Sequence, residues 1–418
     1  MKGFEYRNNI FYCEDVPLTE IAQEFGTPTY IYSYHTLINS FNVIDSAFSD
    51  IEHLICYSIK SNSNLTIINA LAKEGAGADV VSIGELVRSL KAGIPAEKII
   101  FAGVGKAEYE IEYALNKDIL LFNVESLPEA YLINEVAKRL GKKARIALRV
   151  NPDVEALTHE YITTGKKENK FGIDIDKSLD VIKEITRLKN LYFCGLHSHI
   201  GSQILTHEPY INAMNKLKEL KSTLDKEGFE ITLINMGGGF GIKYKEDEEP
   251  LDIKILAQKI VPIVKEMGCT LLMEPGRFIS GPAGTLLTKL LYFKIGTTKN
   301  FAIVDGGMSE LIRPSLYSAY HEIKSVTINP AAHKVLAEFV GPICESGDFL
   351  GKDRTINMPN QGDLFAVMNG GAYGFAMCSN YNSRPKVAEV LVKDDKCYLV
   401  KERESIEDLM KGEIIPEF

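Results

Sequence analysis

Up to residue 276 the chain alternates two textures. Short runs rich in Val, Ile and Leu read as strands: HLICYS (53–58), GADVVS (77–82), KIIFAG (98–103), ILLFNV (119–124), ARIALRV (144–150), LYFCGLHSH (191–199), ITLINMG (231–237) and TLLMEPG (270–276). They are nearly continuous in apolar character, the pattern of strands covered on both faces. Amphipathic stretches at 83–93, 107–117 and 127–141 lie between them; in the last, Leu127, Ala130, Tyr131, Ile133 and Val136 recur at a helical period. Eight such units predict an α/β fold, a closed (β/α)8 TIM-type barrel over residues 30–276. A doubly wound open sheet would carry GxGxxG after its first strand, and the sequence has none there.

Beyond 276 the helical periodicity fades. Runs at 286–296, 301–307, 334–342, 363–371 and 386–402 read as strands joined by turns, with KDDK (393–396) as a hairpin signal. A C-terminal β-sandwich or β-barrel domain is therefore expected over 277–418. Residues 1–29 join it, because FEYRNNIFYCEDVPL (4–18) reads as a strand pair.

Composition narrows the function classes. Against 47 Lys and Arg stand 56 Asp and Glu, a net charge of -9, so the basic footprint of a nucleic-acid or anionic-membrane partner is missing. No apolar run approaches the roughly 20 residues of a membrane helix. The N-terminal stretch has early acidic residues and no apolar core, unlike a signal or transit peptide. Seven scattered cysteines without a CxxC pair point to a reducing, cytoplasmic setting, with neither disulfides nor a zinc site.

Barrels of this kind do chemistry at the C-terminal ends of their strands. There this sequence places Lys60, Arg149, Asn151, His197, His199, the run Gly237–Gly241 and the turn EPGR (274–277). Each has a plain structural reading: a solvated lysine, a tight turn, a hydrogen-bonded histidine, an ion pair. His197 and His199 share a strand face, yet their motif holds no carboxylate or cysteine, and no metal is expected. A lysine, a glycine nest and a carboxylate together suit pyridoxal 5'-phosphate. The amine condenses with its aldehyde, bare backbone amides hold the phosphate, and the carboxylate faces the pyridine nitrogen. On this reading Lys60 is expected to be buried, with a depressed pKa.

Six motifs, YSIKSN (57–62), HSHIGSQ (197–203), GGGFGI (237–242), EPGR (274–277), GPICESGD (341–348) and GAYGFAMCSNYNSRP (371–385), follow one another along nearly the whole chain. In this the sequence resembles the pyridoxal-phosphate decarboxylases built on an alanine-racemase-like barrel with a C-terminal β domain. DGGMSELIRPSLYSAYHEI (305–323) resembles the diaminopimelate branch rather than the ornithine branch. So does HEYITTGKKENKFGI (159–173), where a lid is expected.

The resemblance implies roles. Lys60 matches the Schiff-base lysine and His199 the histidine stacked on the cofactor ring. Ser202, Gly239, Pro275, Gly276 and Arg277 match the phosphate-side positions, Glu274 the partner of the pyridine nitrogen, and Tyr373 a tyrosine contacting phosphate and substrate. Cys344 matches the proton donor, and Arg277, Arg313, Tyr317 and Glu345 match substrate contacts. Cys344 and Glu345 would reach the site of a second subunit, which makes a homodimer obligatory. The implied reaction converts meso-2,6-diaminopimelate to L-lysine and CO2. Arg277 and Arg313 suit the carboxylate of the non-reacting end, and Glu345 its ammonium. The alternatives are a related decarboxylase of ornithine, arginine or carboxynorspermidine, a racemase, and a non-catalytic cofactor-binding protein.

Overall fold

The computed structural model describes residues 3–154 and 170–418. The chain divides into two compact units. One comprises Ser40–Ile242 and Glu249–Ile279; the other comprises Met1–Asn39, Lys243–Glu248 and Ser280–Phe418.

The first unit is the expected barrel. The strands His53–Ser58, Gly77–Val80, Ile99–Phe101, Leu121–Val124, Ala144–Asn151, Leu191–His197, Leu233–Asn235 and Thr270–Met273 pair in parallel, in chain order. The last closes on the first, with Leu271 opposite His53 and Met273 opposite Ile55. Side chains alternate across a strand, and Cys56, Ile100, Leu121, Ala147, Cys194 and Leu272 pack into one interior cluster. Two residues beyond Cys56, Leu121, Ala147 and Leu272, on the same face, stand Ser58, Asn123, Arg149 and Glu274. The barrel filling thus changes from apolar to polar at its C-terminal rim.

Several barrel-unit helices begin on side-chain caps. Ser82 accepts from Glu85 N–H ahead of Ile83–Lys91, and Ser126 accepts from Glu129 N–H ahead of Leu127–Arg139. In return Glu85 accepts from Val81 N–H and Glu129 from Glu125 N–H. Ser-x-x-Glu marks these starts in the sequence, and here each glutamate reaches the amide just before the cap.

The second unit is mostly β. Gly284–Lys294 is long enough to serve two groups of strands. Through Gly284–Lys289 it pairs with Thr29–Ser33 and Leu364–Val367, and through Leu290–Lys294 with Asn300–Val304. Lys334–Val340 and Phe349–Asn357 extend one side; Ala388–Lys393 and Lys396–Lys401 extend the other, as the KDDK hairpin predicts. The N-terminal strands Phe4–Arg7 and Ile10–Cys13 pair antiparallel, as read from sequence.

The division of the chain differs from the expected boundary at residue 30. Thr29–Ser33 is buried throughout and pairs with Gly284–Lys294 and Ala388–Lys393, so it is a β-unit strand. A fully buried strand reads alike in either sheet type, and its partners lie hundreds of positions away. Among the described residues no helix is long and apolar enough to cross a membrane.

Candidate active site

The polar rim of the barrel is built around Glu274, directly after Thr270–Met273. This carboxylate is buried. Its Oε1 accepts from Asn235 Nδ2 at 2.7 Å and Asn123 Nδ2 at 3.0 Å, and His197 Nε2 stands 3.3 Å from Oε2. Burial alone would push the Glu274 carboxyl up. His197 and Lys60 overcome it and hold the group well below the usual carboxylate range. Glu274 is therefore an ionised carboxylate fixed on the barrel axis side of three strands, and it suits a partner that carries a proton on a ring nitrogen.

Lys60 does not lie in the strand. Pairing ends at Ser58, and Ile59–Ser61 forms a 3-10 turn that carries the lysine over the rim. Its amine donates to Asp79 Oδ2 at 3.0 Å, and Ser58 Oγ donates to the same oxygen at 2.7 Å. Asp79 is fully buried, beside Ser58 in the sheet register. Burial pushes its carboxyl up, against the pull of Lys60. The expected buried amine is corrected here: the Lys60 side chain is 37% exposed and ion-paired. An acid side chain, rather than an apolar pocket, faces the amine.

His199 follows Leu191–His197. Its Nδ1 accepts from Gly238 N–H at 3.1 Å, which leaves any ring proton on Nε2. Burial, then the cations Arg149 and Lys60, lower its pKa well below the ordinary value and keep the imidazole neutral. Arg149 is itself paired with Glu125 Oε1 at 2.9 Å.

The glycine run has two duties. A Cβ on Gly238 would lie 1.9 Å from the Glu274 carbonyl oxygen, and one on Gly239 would lie 2.1 Å from that of Gly201. Close packing of three loops alone thus requires glycine. Gly237 N–H donates to Asn235 Oδ1 and Gly238 N–H to His199 Nδ1. Gly241 N–H donates to Ile204 O, so three amides of the run are used within the protein, and Gly239, at φ 86°, is a position available to an anion. Nearby, Arg277 Nη2 donates to Ser202 Oγ at 3.0 Å, bringing two of the predicted phosphate-side residues together. Lys60, His199, Ser202, Gly239, Glu274, Pro275, Gly276 and Arg277 all belong to the barrel unit.

Arg313, Tyr317, Cys344, Glu345 and Tyr373 belong to the β unit. Arg313 opens the short helix Arg313–Tyr317 and is buried. Its Nη1 donates to Tyr244 Oη at 2.7 Å and lies 3.3 Å from His321 Nε2, and its guanidinium sits 5.0 Å from the Tyr244 ring centroid. His321 Nδ1 donates to Met368 O at 2.7 Å, so Nε2 is the acceptor facing Arg313. No carboxylate forms an ion pair with Arg313 among the described residues. Tyr373 sits at φ 57°, a conformation uncommon for an aromatic residue. Cys344 and Glu345 are exposed on the loop after Lys334–Val340. The expected lid, 159–173, lies outside the described residues except for its last positions.

The residues fit pyridoxal phosphate: a reactive amine, an ionised buried carboxylate, a neutral imidazole, and a glycine cradle beside an arginine and a serine. The family model for the pyridoxal-binding domain of pyridoxal-dependent decarboxylases matches residues 35–281. The chain is 47% identical to diaminopimelate decarboxylase of Aquifex aeolicus, covering 97% of this chain and 96% of that one. It is 44% identical to that of Vibrio cholerae over the full length of both. This chain belongs to the diaminopimelate decarboxylase family. Solved structures agree. The Helicobacter pylori enzyme complexed with L-lysine superposes with a TM-score of 0.91 at 42% identity, covering 94% of this chain and 98% of that one. The M. jannaschii enzyme with L-lysine gives 0.95 at 36% identity, covering 99% and 98%.

Sequence reasoning missed Asp79, Asn123, Asn235 and Tyr244, and it gave no role to His321, which closes the RPSLYSAYH motif. A signal exists for the two asparagines: each stands two positions beyond an inward-facing leucine, Leu121 or Leu233. Asp79 is a charge inside an apolar run, GADVV. Nothing local marks Tyr244, which lies 69 positions from its partner Arg313.

Proposed function

We propose that the chain decarboxylates meso-2,6-diaminopimelate to L-lysine and CO2 with pyridoxal 5'-phosphate as cofactor, the last step of lysine synthesis. The observation that carries the substrate assignment is Arg313, a buried, pre-oriented guanidinium with no carboxylate partner among the described residues. Burying a cation unpaired is costly, and a planar guanidinium suits a carboxylate held by two parallel N–H groups.

Bound pyridoxal phosphate supplies a sink for the electron pair released when CO2 departs. Its holders are Lys60, His199, Ser202, Gly239, Glu274, Pro275, Gly276, Arg277 and Tyr373. Glu274, kept ionised by His197 and two asparagine amides, holds a proton on the pyridine nitrogen. Asp79 takes a proton from the Lys60 amine when that nitrogen must react, and returns it afterwards. His199, neutral, adds no charge against the ring. Arg277, Arg313 and Tyr317 bind the carboxylate at the non-reacting end of the substrate, and Glu345 its ammonium. Cys344 Sγ delivers a proton to the carbon that lost CO2. Cys344 and Glu345 serve the site of a second copy of the chain, and the working unit is a homodimer.

L-Ornithine, L-arginine and L-lysine have no second carboxylate. Each would leave Arg313 without its counter-charge, a loss of several kcal/mol by order of magnitude. CO2 release from meso-diaminopimelate, L-ornithine and L-arginine, measured side by side, tests the assignment. Release from diaminopimelate alone is expected; release from ornithine in preference overturns it.

A further inference from the structure

The loop that carries Cys344 and Glu345 is anchored from within but exposed at its tip. At its base Asp348 is buried and accepts from Met308 N–H at 2.6 Å and Ile343 N–H at 2.7 Å. At its tip Cys344 and Glu345 are exposed, and a reactive pair on an exposed loop needs something to fix its direction. A second segment, 379–386, supplies it. Cys344 N–H donates to Asn382 Oδ1 at 2.9 Å. Asn382 thus holds the backbone of the residue that carries the thiol.

The holding segment is braced on several sides. Ser379 N–H donates to Ser309 O at 2.9 Å, Arg384 Nη2 to Asp305 O at 3.0 Å, and Asn380 Nδ2 to Glu404 Oε2 at 2.7 Å. Asn382 itself lies in the left-handed region, φ 55° and ψ 28°, and Ser383 follows at φ 54°. Asparagine tolerates that conformation better than most residues. It also places an amide oxygen where the Cys344 amide needs an acceptor. Glycine would satisfy the backbone and not the bond; alanine would satisfy neither.

We propose that Asn382 is a positioning residue that aims Cys344 for proton delivery. The proposal rests on the role given above to Cys344. It separates two kinetic constants that a merely structural loop would move together. Asn382→Gly, in the full-length holoenzyme, lowers kcat about 5- to 10-fold with KM within twofold, the worth of one hydrogen bond. Asn382→Asp, which keeps an acceptor oxygen and tolerates the same backbone, recovers kcat to within about threefold. Cofactor absorbance and melting temperature stay at wild-type values in both. Wild-type kcat in Asn382→Gly while Cys344→Ala is inactive overturns the inference alone. Full turnover in Cys344→Ala overturns it together with the proton-donor role. Parallel loss of kcat, KM and melting temperature in Asn382→Gly, without rescue by Asn382→Asp, also overturns it.

Discussion

Arg313→Gln is the most informative single change to the substrate contacts. The guanidinium is already oriented by the Tyr244 hydroxyl at 2.7 Å, His321 Nε2 at 3.3 Å and the Tyr244 ring at 5.0 Å. Little ordering remains to be done when substrate binds. A buried, charge-assisted contact of this kind contributes about 2–5 kcal/mol, so kcat/KM for meso-diaminopimelate is expected to fall between about 30-fold and several thousand-fold. Arg313→Lys keeps the charge but not the fork and recovers only part of the loss. Without substrate, the same guanidinium is a buried charge lacking a carboxylate among the described residues. Arg313→Met is therefore expected to leave the melting temperature unchanged or raise it. CO2 release under initial-rate conditions, with cofactor absorbance as the control for loading, measures the first effect; thermal unfolding measures the second. A kcat/KM within about threefold of wild type in Arg313→Gln would refute the reasoning.

Three further outcomes follow from the barrel rim. Glu274→Gln sets an amide among Asn123, Asn235 and His197 and removes the negative charge facing the pyridine nitrogen. Turnover should drop at least about 100-fold, and near-normal turnover would remove Glu274 from its role. Asp79→Asn leaves Lys60 without its proton acceptor. It should slow cofactor loading at neutral pH about 5- to 10-fold, the ion-pair contribution being discounted because Lys60 is part-exposed. The absorbance rise on adding pyridoxal phosphate measures this, and an unchanged loading rate contradicts the assignment. Burial pushes the Glu85 carboxyl up to about 7 against its ordinary 4.5. The folded state then binds more proton than the unfolded chain between these values, so wild-type stability falls as pH rises through that window. Glu85→Gln should remove a fall on the order of 1–3 kcal/mol between pH 5 and 8. Urea midpoints at the two pH values read it, and equal slopes in both proteins would contradict it.

The barrel and the rim were legible in the sequence for a physical reason. Strands covered on both faces read as continuous apolar runs, and the first polar residues after them necessarily fall at the mouth, as Glu274 does. Exact strand ends were less legible. The apolar run at 98–103 shrinks to Ile99–Phe101, and Lys60 sits one turn past its strand, because hydrogen-bond pairing ends before hydrophobicity does. Lys60 was expected to be buried and is instead part-exposed and paired with Asp79, a contact across strands that no local pattern encodes. Thr29–Ser33 pairs with strands some 250 and 360 positions away by register, Leu286 facing Tyr30 and Val390 facing Ile31. Arg313 and His321 stood out together in the RPSLYSAYH motif, while Tyr244, which orients Arg313, did not. A residue that positions another is identified by distance in space, and a single sequence does not contain that distance.

The claim on which the others depend is that Lys60, paired with Asp79 at the rim of the barrel, is the amine that holds the cofactor. Borohydride reduction of the yellow holoenzyme, followed by proteolysis and mass spectrometry, tests it directly. The account predicts a phosphopyridoxyl group on the peptide containing Lys60, and loss of that label in Lys60→Ala. The label on any other lysine, or an unchanged cofactor spectrum in Lys60→Ala, would contradict it.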